Sequence, residues 1–397
     1  MHVPDGFIDA PVSLAAGAVA AGAVAVSLRG ARRELAGPAG AGGLGEERTA
    51  PLAGLVAAFV FAVQMLNFPV AGGTSGHLLG GALAAVLVGP YTGVLCVSVV
   101  LLMQSVLFAD GGLTALGVNI TDMAVVAVPV AYGLFRALVR VLPRGRGAVT
   151  GAAFAAALVS VPAAAVAFTA LYALGGTADV SLGKVFTAMV GVHVLIGLGE
   201  AAITALTVGA VLSVRPDLVY GARGVTAPLV LRDVTAAVPG GGTAAASEDA
   251  ARADAERVPA EGVPAEPAAA PAPAPVRGRS TRRVWLAGLA TALVCAGVVS
   301  FYASADPDGL EKVAADQGID EKAEEHGLAD SPLADYGVAD ISDTRLSGGT
   351  AGVIGVGATL AVGTGVFVVV RRRRASAPAP AASGAAASAS GADRDGH

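Results

Sequence analysis

The chain has 397 residues, of which 54% are hydrophobic and 14% are charged, and its mean hydropathy is +0.67. This composition is typical of a polytopic membrane protein that buries most of its apolar surface in lipid, and it excludes an ordinary soluble enzyme. The net charge of −5 does not indicate a nucleic-acid partner. None of the three lysines follows a glycine-rich phosphate loop, so we expect no bound nucleotide.

The first seven residues, MHVPDGF, place an α-amine beside an imidazole. No basic region precedes the first apolar run, so we expect no cleaved signal, and the large His2 side chain favours retention of Met1. The Met1 amine, the deprotonated backbone nitrogen of His2 and the nearer nitrogen of its imidazole can close two fused chelate rings in one plane. A planar nitrogen set suits Ni²⁺, Cu²⁺ or low-spin Co²⁺. His77 is the natural donor for the fourth corner.

Seven apolar segments are predicted to cross the membrane within residues 1–215. Six are long enough for ~30 Å of hydrocarbon, whereas the segment at 78–90 is short and glycine-rich. The six long segments are 11–28, 51–69, 91–108, 116–137, 149–174 and 185–213. The sequence therefore predicts an all-α membrane domain of seven helices over residues 1–215.

Arginines follow the first, fifth and seventh of these segments and indicate the orientation of the chain. They are Arg29, Arg32, Arg33, Arg136, Arg140, Arg144, Arg146 and Arg215. The positive-inside rule places all of them in the cytoplasm only if the N-terminus is external and the short segment also crosses. His2 and His77 are then expected on the same, external, face of the plasma membrane.

Residues 216–281 change character and become rich in alanine, proline, glycine and glutamate. Such a stretch cannot bury enough apolar surface to fold, so we expect a disordered cytoplasmic linker. The final residues, 375–397, are mainly alanine, serine and glycine, and are expected to form a disordered cytoplasmic tail.

Residues 282–374 are predicted to form a hairpin of two transmembrane helices, because the apolar runs at 284–303 and 350–370 are both flanked by arginines. The connecting loop, 304–348, would then be external. It carries twelve acidic residues and three basic ones. Two interpretations remain open, since the loop can attract divalent cations or can simply be solvated.

Polar residues elsewhere in the first domain suggest supporting roles. Thr74 and Ser75 precede His77 and are predicted to fix its imidazole. Asn119 and Asp122 lie in an apolar segment, where they either line the cavity or pack one helix against another.

His193 and Glu200 are seven residues apart in the last segment of the domain, so they share one face of a helix. Ionisable side chains inside a membrane usually face the bundle interior. They are predicted to form an intramembrane polar pair, which either anchors a partner subunit or relays protons.

Four stretches occur in an order that resembles the CbiM/NikM family, the substrate-capture subunits of energy-coupling-factor cobalt and nickel importers. These stretches are MHVPDGF, SGHLLGG from Ser75, GGLTALG from Gly111 and HVLIGLGE from His193. The resemblance covers about residues 1–215. Over about 284–374, PDGLE from Pro307 and SPLADY from Ser331 resemble the small PDGLE subunit (CbiN/NikN-like) of the same importers, here fused to the first.

The resemblance implies a transport subunit and not an enzyme. It implies that Met1, through its amine and not its sulfur, His2 and His77 bind transported Co²⁺ or Ni²⁺. It also implies partners, namely a membrane coupling (T) subunit and two cytoplasmic ATPases, and a link to cobalamin biosynthesis where cobalt is the cargo. The alternative is a proton-coupled secondary metal transporter that uses His193, Glu200 and Asp122.

Overall fold

The computed structural model describes residues 1–35, 49–223 and 281–375. Most of the predicted linker and almost all of the predicted tail lie outside these residues. The first domain contains α1 (Ala10–Glu34), α2 (Thr49–Gln64), β1 (Phe68–Ala71), β2 (Thr74–Gly76), α3 (Gly81–Val88), α4 (Pro90–Phe108), α5 (Leu116–Ile120), α6 (Ala127–Val141), α7 (Arg146–Gly175) and α8 (Leu182–Val214). The PDGLE segment contains α9 (Thr281–Gly297), α10 (Gly309–Gln317) and α11 (Thr344–Ala375).

Short elements complete the chain. A π-helical segment, Thr121–Val126, joins α5 to α6 without a break. The strands β1 and β2 pair as an antiparallel hairpin. Single 3-10 turns occur at Pro216–Leu218, Tyr220–Ala222, Val299–Tyr302, Asp320–Lys322 and Ala334–Tyr336.

Seven helices among the described residues are long and apolar enough to cross a membrane. Five belong to the first domain, with the α5–α6 continuum counted as one, and two form the PDGLE hairpin. The prediction of an all-α, polytopic membrane protein is confirmed. The remaining two segments, α2 with 16 residues and α3 with 8, are shorter.

The short segment links a contact with the first residue of the chain to a contact with the last residue of α1. Its helix α3 is ~12 Å long, well below the ~30 Å of a bilayer core. At its start, His77 touches the chain's first residue, and just beyond its end Tyr91 and Thr92 donate backbone hydrogen bonds to Glu34, at the far end of α1. That residues 78–90 cross the membrane stays a prediction. All of α3 is buried, so protein surrounds the non-helical residues before it.

The PDGLE hairpin packs on α2 through small residues. A Cβ added at Gly54 would lie 2.2 Å from the Thr364 hydroxyl, and one added at Gly363 would lie 3.4 Å from the Cα of Gly54. One helical turn before Gly54, the Pro51 carbonyl accepts a hydrogen bond from the indole of Trp285. Close approach of helix backbones through glycine is typical of membrane helix packing. The hairpin and the first domain therefore share one core.

The N-terminal segment 1–9 folds back over one end of the bundle. Its Asp5 carboxylate accepts hydrogen bonds from three successive amides of the loop after α4, those of Leu113, Thr114 and Ala115. Asp9 caps α1 through the Val12 amide. Met1, Val3 and Phe7 are buried. The charge of Asp5 is thus used to fix the chain start, since a buried carboxylate needs such donors.

Candidate metal centre

The N-terminal amine of Met1 is buried and makes two contacts. It donates one hydrogen bond to Nε2 of His77 and another, of 2.8 Å, to Oδ2 of Asp308. Asp308 belongs to the PDGLE motif, 307 positions away in sequence. The chain start and the fused segment therefore meet at one point.

His77 presents a single lone pair to this point. Its Nδ1 donates to the carbonyl of Leu78 at 3.1 Å, so Nε2 is the unprotonated nitrogen that faces Met1. Burial lowers the pKa of His77, and the charge of the N-terminal ammonium lowers it further. A neutral imidazole with one nitrogen held by a carbonyl is the usual form of a metal-binding histidine.

Asp308 is held as a carboxylate. Burial by itself raises its pKa, but the charge of the neighbouring N-terminal ammonium outweighs burial and brings the pKa well below its ordinary value. Its second oxygen, Oδ1, accepts from the backbone amides of Leu310 and Glu311 at the start of α10. In the sequence, the PDGLE motif supported the resemblance to the small subunit, but no role was predicted for Asp308.

His2 stacks on His77 with the ring planes 7° apart and the centroids 4.8 Å apart. Its Nδ1 lies 3.1 Å from Oδ1 of Asp110, and its Nε2 is buried without a hydrogen-bond partner among the described residues. The predicted chelate requires Nδ1 to face the ion. In this conformation that nitrogen is held by a carboxylate, so the predicted chelate would require the ring to leave Asp110.

Asp110 links His2 to the PDGLE segment. Its Oδ2 accepts a 2.6 Å hydrogen bond from the Tyr336 hydroxyl, which in turn accepts from the Gln104 amide. Burial raises the pKa of Asp110, but the neighbouring His2 and Tyr336 lower it to about 2. Asp110 directly precedes GGLTALG, and Tyr336 ends SPLADY. The sequence shows both motifs, but it does not show that they are in contact.

Asn119 clamps the N-terminal segment rather than lining an open cavity. Its side chain accepts from the Val3 amide at 2.7 Å and donates to the Val3 carbonyl at 3.1 Å. The Gly112 amide also donates to the Val3 carbonyl. These bonds fix the backbone one residue after His2, where an error would displace the imidazole.

Thr74 and Ser75 do not hold the His77 ring, contrary to the prediction. Both are buried in β2. The Ser75 hydroxyl donates to the Asp306 carbonyl, and its amide donates to the Pro307 carbonyl. Ser75 therefore positions the residues just before Asp308. The ring of His77 is held by Leu78 instead.

Asp122 lies one helical turn beyond Asn119, inside the π-helical segment. It is buried, and neither carboxylate oxygen has a hydrogen-bond partner among the described residues. Its neighbour Thr121 donates to the Ala16 carbonyl of α1. A buried carboxylate within a membrane helix is costly and commonly functional.

His193 and Glu200 share the buried face of α8, as their spacing predicts, but each bonds to main-chain groups. Nδ1 of His193 donates to the Met189 carbonyl. Glu200 accepts from the amides of Leu79 at 2.6 Å and Gly80 at 3.2 Å. Because these amides follow His77, Glu200 ties α8 to the segment that carries the imidazole. A polar pair was predicted, but the structure gives each residue its own partner.

Replacing Glu200 with glutamine is expected to weaken metal binding. Glutamine keeps one acceptor oxygen and leaves an amide of Leu79 or Gly80 unpaired, at a cost of about 1–3 kcal/mol. This corresponds to a rise in Kd of about 5- to 150-fold if the cost falls on the bound state. Isothermal titration with Ni²⁺ measures it. Thr204→Val, one turn further on the same buried face, is the matched control and should leave Kd unchanged.

A cavity of about 360 Å³ opens beside the two histidines. Two imidazoles, four carboxylates and amide and phenol groups contribute to its lining: His2, His77, Asp110, Asp308, Glu311, Asp335, Gln64, Asn67 and Tyr336. By side chains alone, the described residues hold no group of three or more His, Cys, Asp or Glu placed to bind a metal. A metal centre here would therefore depend on main-chain nitrogen, above all on the terminal amine.

The fold and this buried end define a multi-pass membrane protein in which two imidazoles and the terminal amine meet beneath a folded-back N-terminus. Residues 2–218 match the family described as the cobalt uptake substrate-specific transmembrane region, and residues 282–372 match the PDGLE domain. The chain belongs to that cobalt uptake family and carries a PDGLE domain after it.

Three relatives illustrate the similarity. A candidate metal transport protein of Haloquadratum walsbyi is 40% identical over 55% of this chain and 94% of its own length. A candidate fused nickel transport protein, NikMN, of Archaeoglobus fulgidus is 39% identical over 55% of this chain and 68% of its own. The cobalt transport protein CbiM of Sorangium cellulosum is 37% identical over 42% of this chain and 75% of its own.

Proposed function

We propose that this chain captures Co²⁺ or Ni²⁺ as cargo at the end of the bundle where Met1 lies, and passes the ion across the membrane. The contact between the Met1 amine and Nε2 of His77 carries this proposal. It brings together, inside the protein, two predicted metal ligands that are 76 positions apart in the sequence. The stacked ring of His2 adds a third donor beside them. The names of the cobalt and nickel transport relatives support the choice of metals.

In the bound state the donors are the Met1 amine, the deprotonated backbone nitrogen of His2, its Nδ1 and Nε2 of His77. To reach this state the His2 ring releases Asp110 and turns Nδ1 toward the ion. Four nitrogens in a plane suit Ni²⁺ and low-spin Co²⁺. Residues 1–7, held by Asp5 and Asn119, then cover the ion and exclude water.

Such a donor set holds the ion tightly, so its release needs an energy source. This chain has no nucleotide-binding loop, which supports a separate ATP-driven machine. We infer an energy-coupling-factor assembly in which a membrane coupling subunit joins this chain to two cytoplasmic ATPases. In that assembly the Met1 end is external and the arginine-rich ends are cytoplasmic.

Metal uptake is expected to require both ATP and the partner subunits. Proteoliposomes with the chain alone should bind about one equivalent of Ni²⁺ without accumulating it, whereas vesicles that also contain the coupling subunit and ATPases should accumulate radioactive Ni²⁺ only with hydrolysable ATP. Accumulation by the chain alone under a proton gradient would contradict the proposal.

That contrary outcome belongs to the second candidate, a proton-coupled transporter. It is favoured by Asp122, whose two buried oxygens lack partners among the described residues. If the chain is a proton-coupled transporter, Asp122→Asn should abolish uptake driven by a proton gradient. If it is part of an ATP-driven transporter, uptake should not depend on a proton gradient at all.

A further inference from the structure

We propose that Asp308 of the PDGLE segment is a metal-binding residue: it receives the incoming ion together with the Met1 amine and His77, before His2 joins. This inference rests on the proposed metal-capture function and deepens it. It assigns a ligand to the acidic loop, whose role the sequence left open between cation attraction and solvation.

The three groups converge on one point. Oδ2 of Asp308 lies 2.8 Å from the Met1 nitrogen and 3.4 Å from Nε2 of His77, and the latter two are themselves in contact. Neighbouring ligands at right angles around one ion, each ~2.1 Å away, are ~3 Å apart. The two nitrogens and one oxygen thus have the spacing of three adjacent ligands, and His77 and Asp308 both line the cavity.

The two carboxylate oxygens of Asp308 make different contacts. Oδ1 caps α10 by accepting from the amides of Leu310 and Glu311, and the Glu311 carboxylate accepts from the Asp308 amide. This capping box fixes the carboxylate without using Oδ2. One oxygen therefore belongs to the helix and the other to the site.

The loop around Asp308 is anchored to the first domain on several sides. Ser75 bonds to the preceding residues, and the Glu324 amide donates to the Asp5 carbonyl at 2.9 Å. A Cβ added at Gly309 would lie 2.7 Å from Ile196 and 3.3 Å from His193. The solvated interpretation does not account for this fit, since a merely solvated loop has no need of such close contacts.

His2 stands outside this first set of ligands. Its Nδ1 is on Asp110, which the Tyr336 hydroxyl of the same PDGLE segment holds from the other side. The PDGLE segment thus contacts the site at two places. Asp308 accepts a hydrogen bond from the Met1 amine, and Tyr336 donates one to Asp110, the carboxylate that contacts His2. The His2 ring is thus held by Asp110 while the first three donors lie together.

An early ligand set is needed because the His2 backbone nitrogen binds metal only after losing its proton. A metal that is already anchored nearby promotes that loss. The ion first exchanges some of its water for the amine, Nε2 of His77 and Oδ2 of Asp308. The His2 nitrogen and Nδ1 then replace Asp308 and the remaining water. One proton from the Met1 ammonium and one from the His2 amide pass to water. The proton that His2 Nδ1 shares with Asp110 moves by way of water to Nε2 of the same ring, and Asp308 stays beside the complex as its counter-charge.

The test uses the full chain in detergent, mixed rapidly with NiSO₄ while the visible absorption of planar Ni²⁺ is followed. Asp308→Asn is a clean variant, because asparagine caps a helix as well as aspartate does. It should slow formation of the planar spectrum about tenfold or more, yet reach the same final spectrum. Asp306→Asn removes the same charge two residues away, from an exposed side chain, and should load at the wild-type rate.

A second measurement works at mildly acidic pH, where the His2 amide keeps its proton. The wild-type chain should there bind Ni²⁺ with a six-coordinate spectrum that Asp308→Asn lacks. Wild-type loading rates in Asp308→Asn would overturn the inference, as would loss of its final planar spectrum. If the wild-type chain itself never gives a planar spectrum, the proposed ligand set is what fails.

Discussion

Adding one alanine before Met1 is expected to lower the affinity for Ni²⁺ and Co²⁺ by more than ~100-fold. Changes to groups that only support metal ligands cost about 10- to 100-fold, and this insertion removes a ligand itself. The amine becomes an amide that no longer binds as an amine, and the chelate with His2 opens. The insertion also moves the terminal amine away from His77 and Asp308, which the Met1 amine contacts.

Isothermal titration of the purified full chain measures this loss, and mass spectrometry verifies the terminus. The matched control adds one alanine after the last residue, His397, and should bind as the unmodified chain does. An ordinary site built from histidine side chains would tolerate both insertions. Unchanged affinity in the N-terminal variant would therefore show that the terminal amine is not a metal ligand.

Substituting His77 with alanine is expected to have the next largest effect, a loss of affinity of about 100-fold or more. Three nitrogens remain and water takes the fourth position, so the visible spectrum of bound Ni²⁺ should shift as one nitrogen is replaced by oxygen. Added imidazole should partly restore the spectrum, because the substitution leaves a space of its shape. That rescue separates a lost ligand from a misfolded protein.

His326→Ala is the matched control for this substitution. His326 is a half-buried imidazole in the loop between α9 and α11, and its Nδ1 accepts from the Leu328 amide. It should bind Ni²⁺ with unchanged affinity and spectrum. An equal loss in both variants, or no loss in His77→Ala, would contradict the proposed fourth ligand.

The helices themselves were largely predictable. The segments predicted at 149–174 and 185–213 lie within α7 and α8, because long uninterrupted apolar runs leave little choice of structure in a membrane. The π-helical segment at Thr121–Val126 was not predicted. Its signal is absent from hydropathy, because a change from α to π spacing alters hydrogen bonds without altering composition.

The site was predictable in part. Met1, His2 and His77 were identified from chemistry at the chain start and from one glycine-flanked histidine, and the structure brings all three together. Asp110 and Asp308 were missed, although each adjoins or lies in a recognised motif. An acidic residue beside a glycine looks the same in the sequence whether it faces solvent or an ammonium group.

By itself the sequence determined that this is a polytopic membrane protein and which nitrogens are available to a metal, since hydropathy and side-chain chemistry are local properties. Tertiary structure alone decided which groups hold those nitrogens. The contacts of Glu200 with the amides after His77, and of Asp308 with Met1, join residues 120 to 307 positions apart. Such pairings are set by how helices pack across the whole bundle, and no local pattern of residues records them.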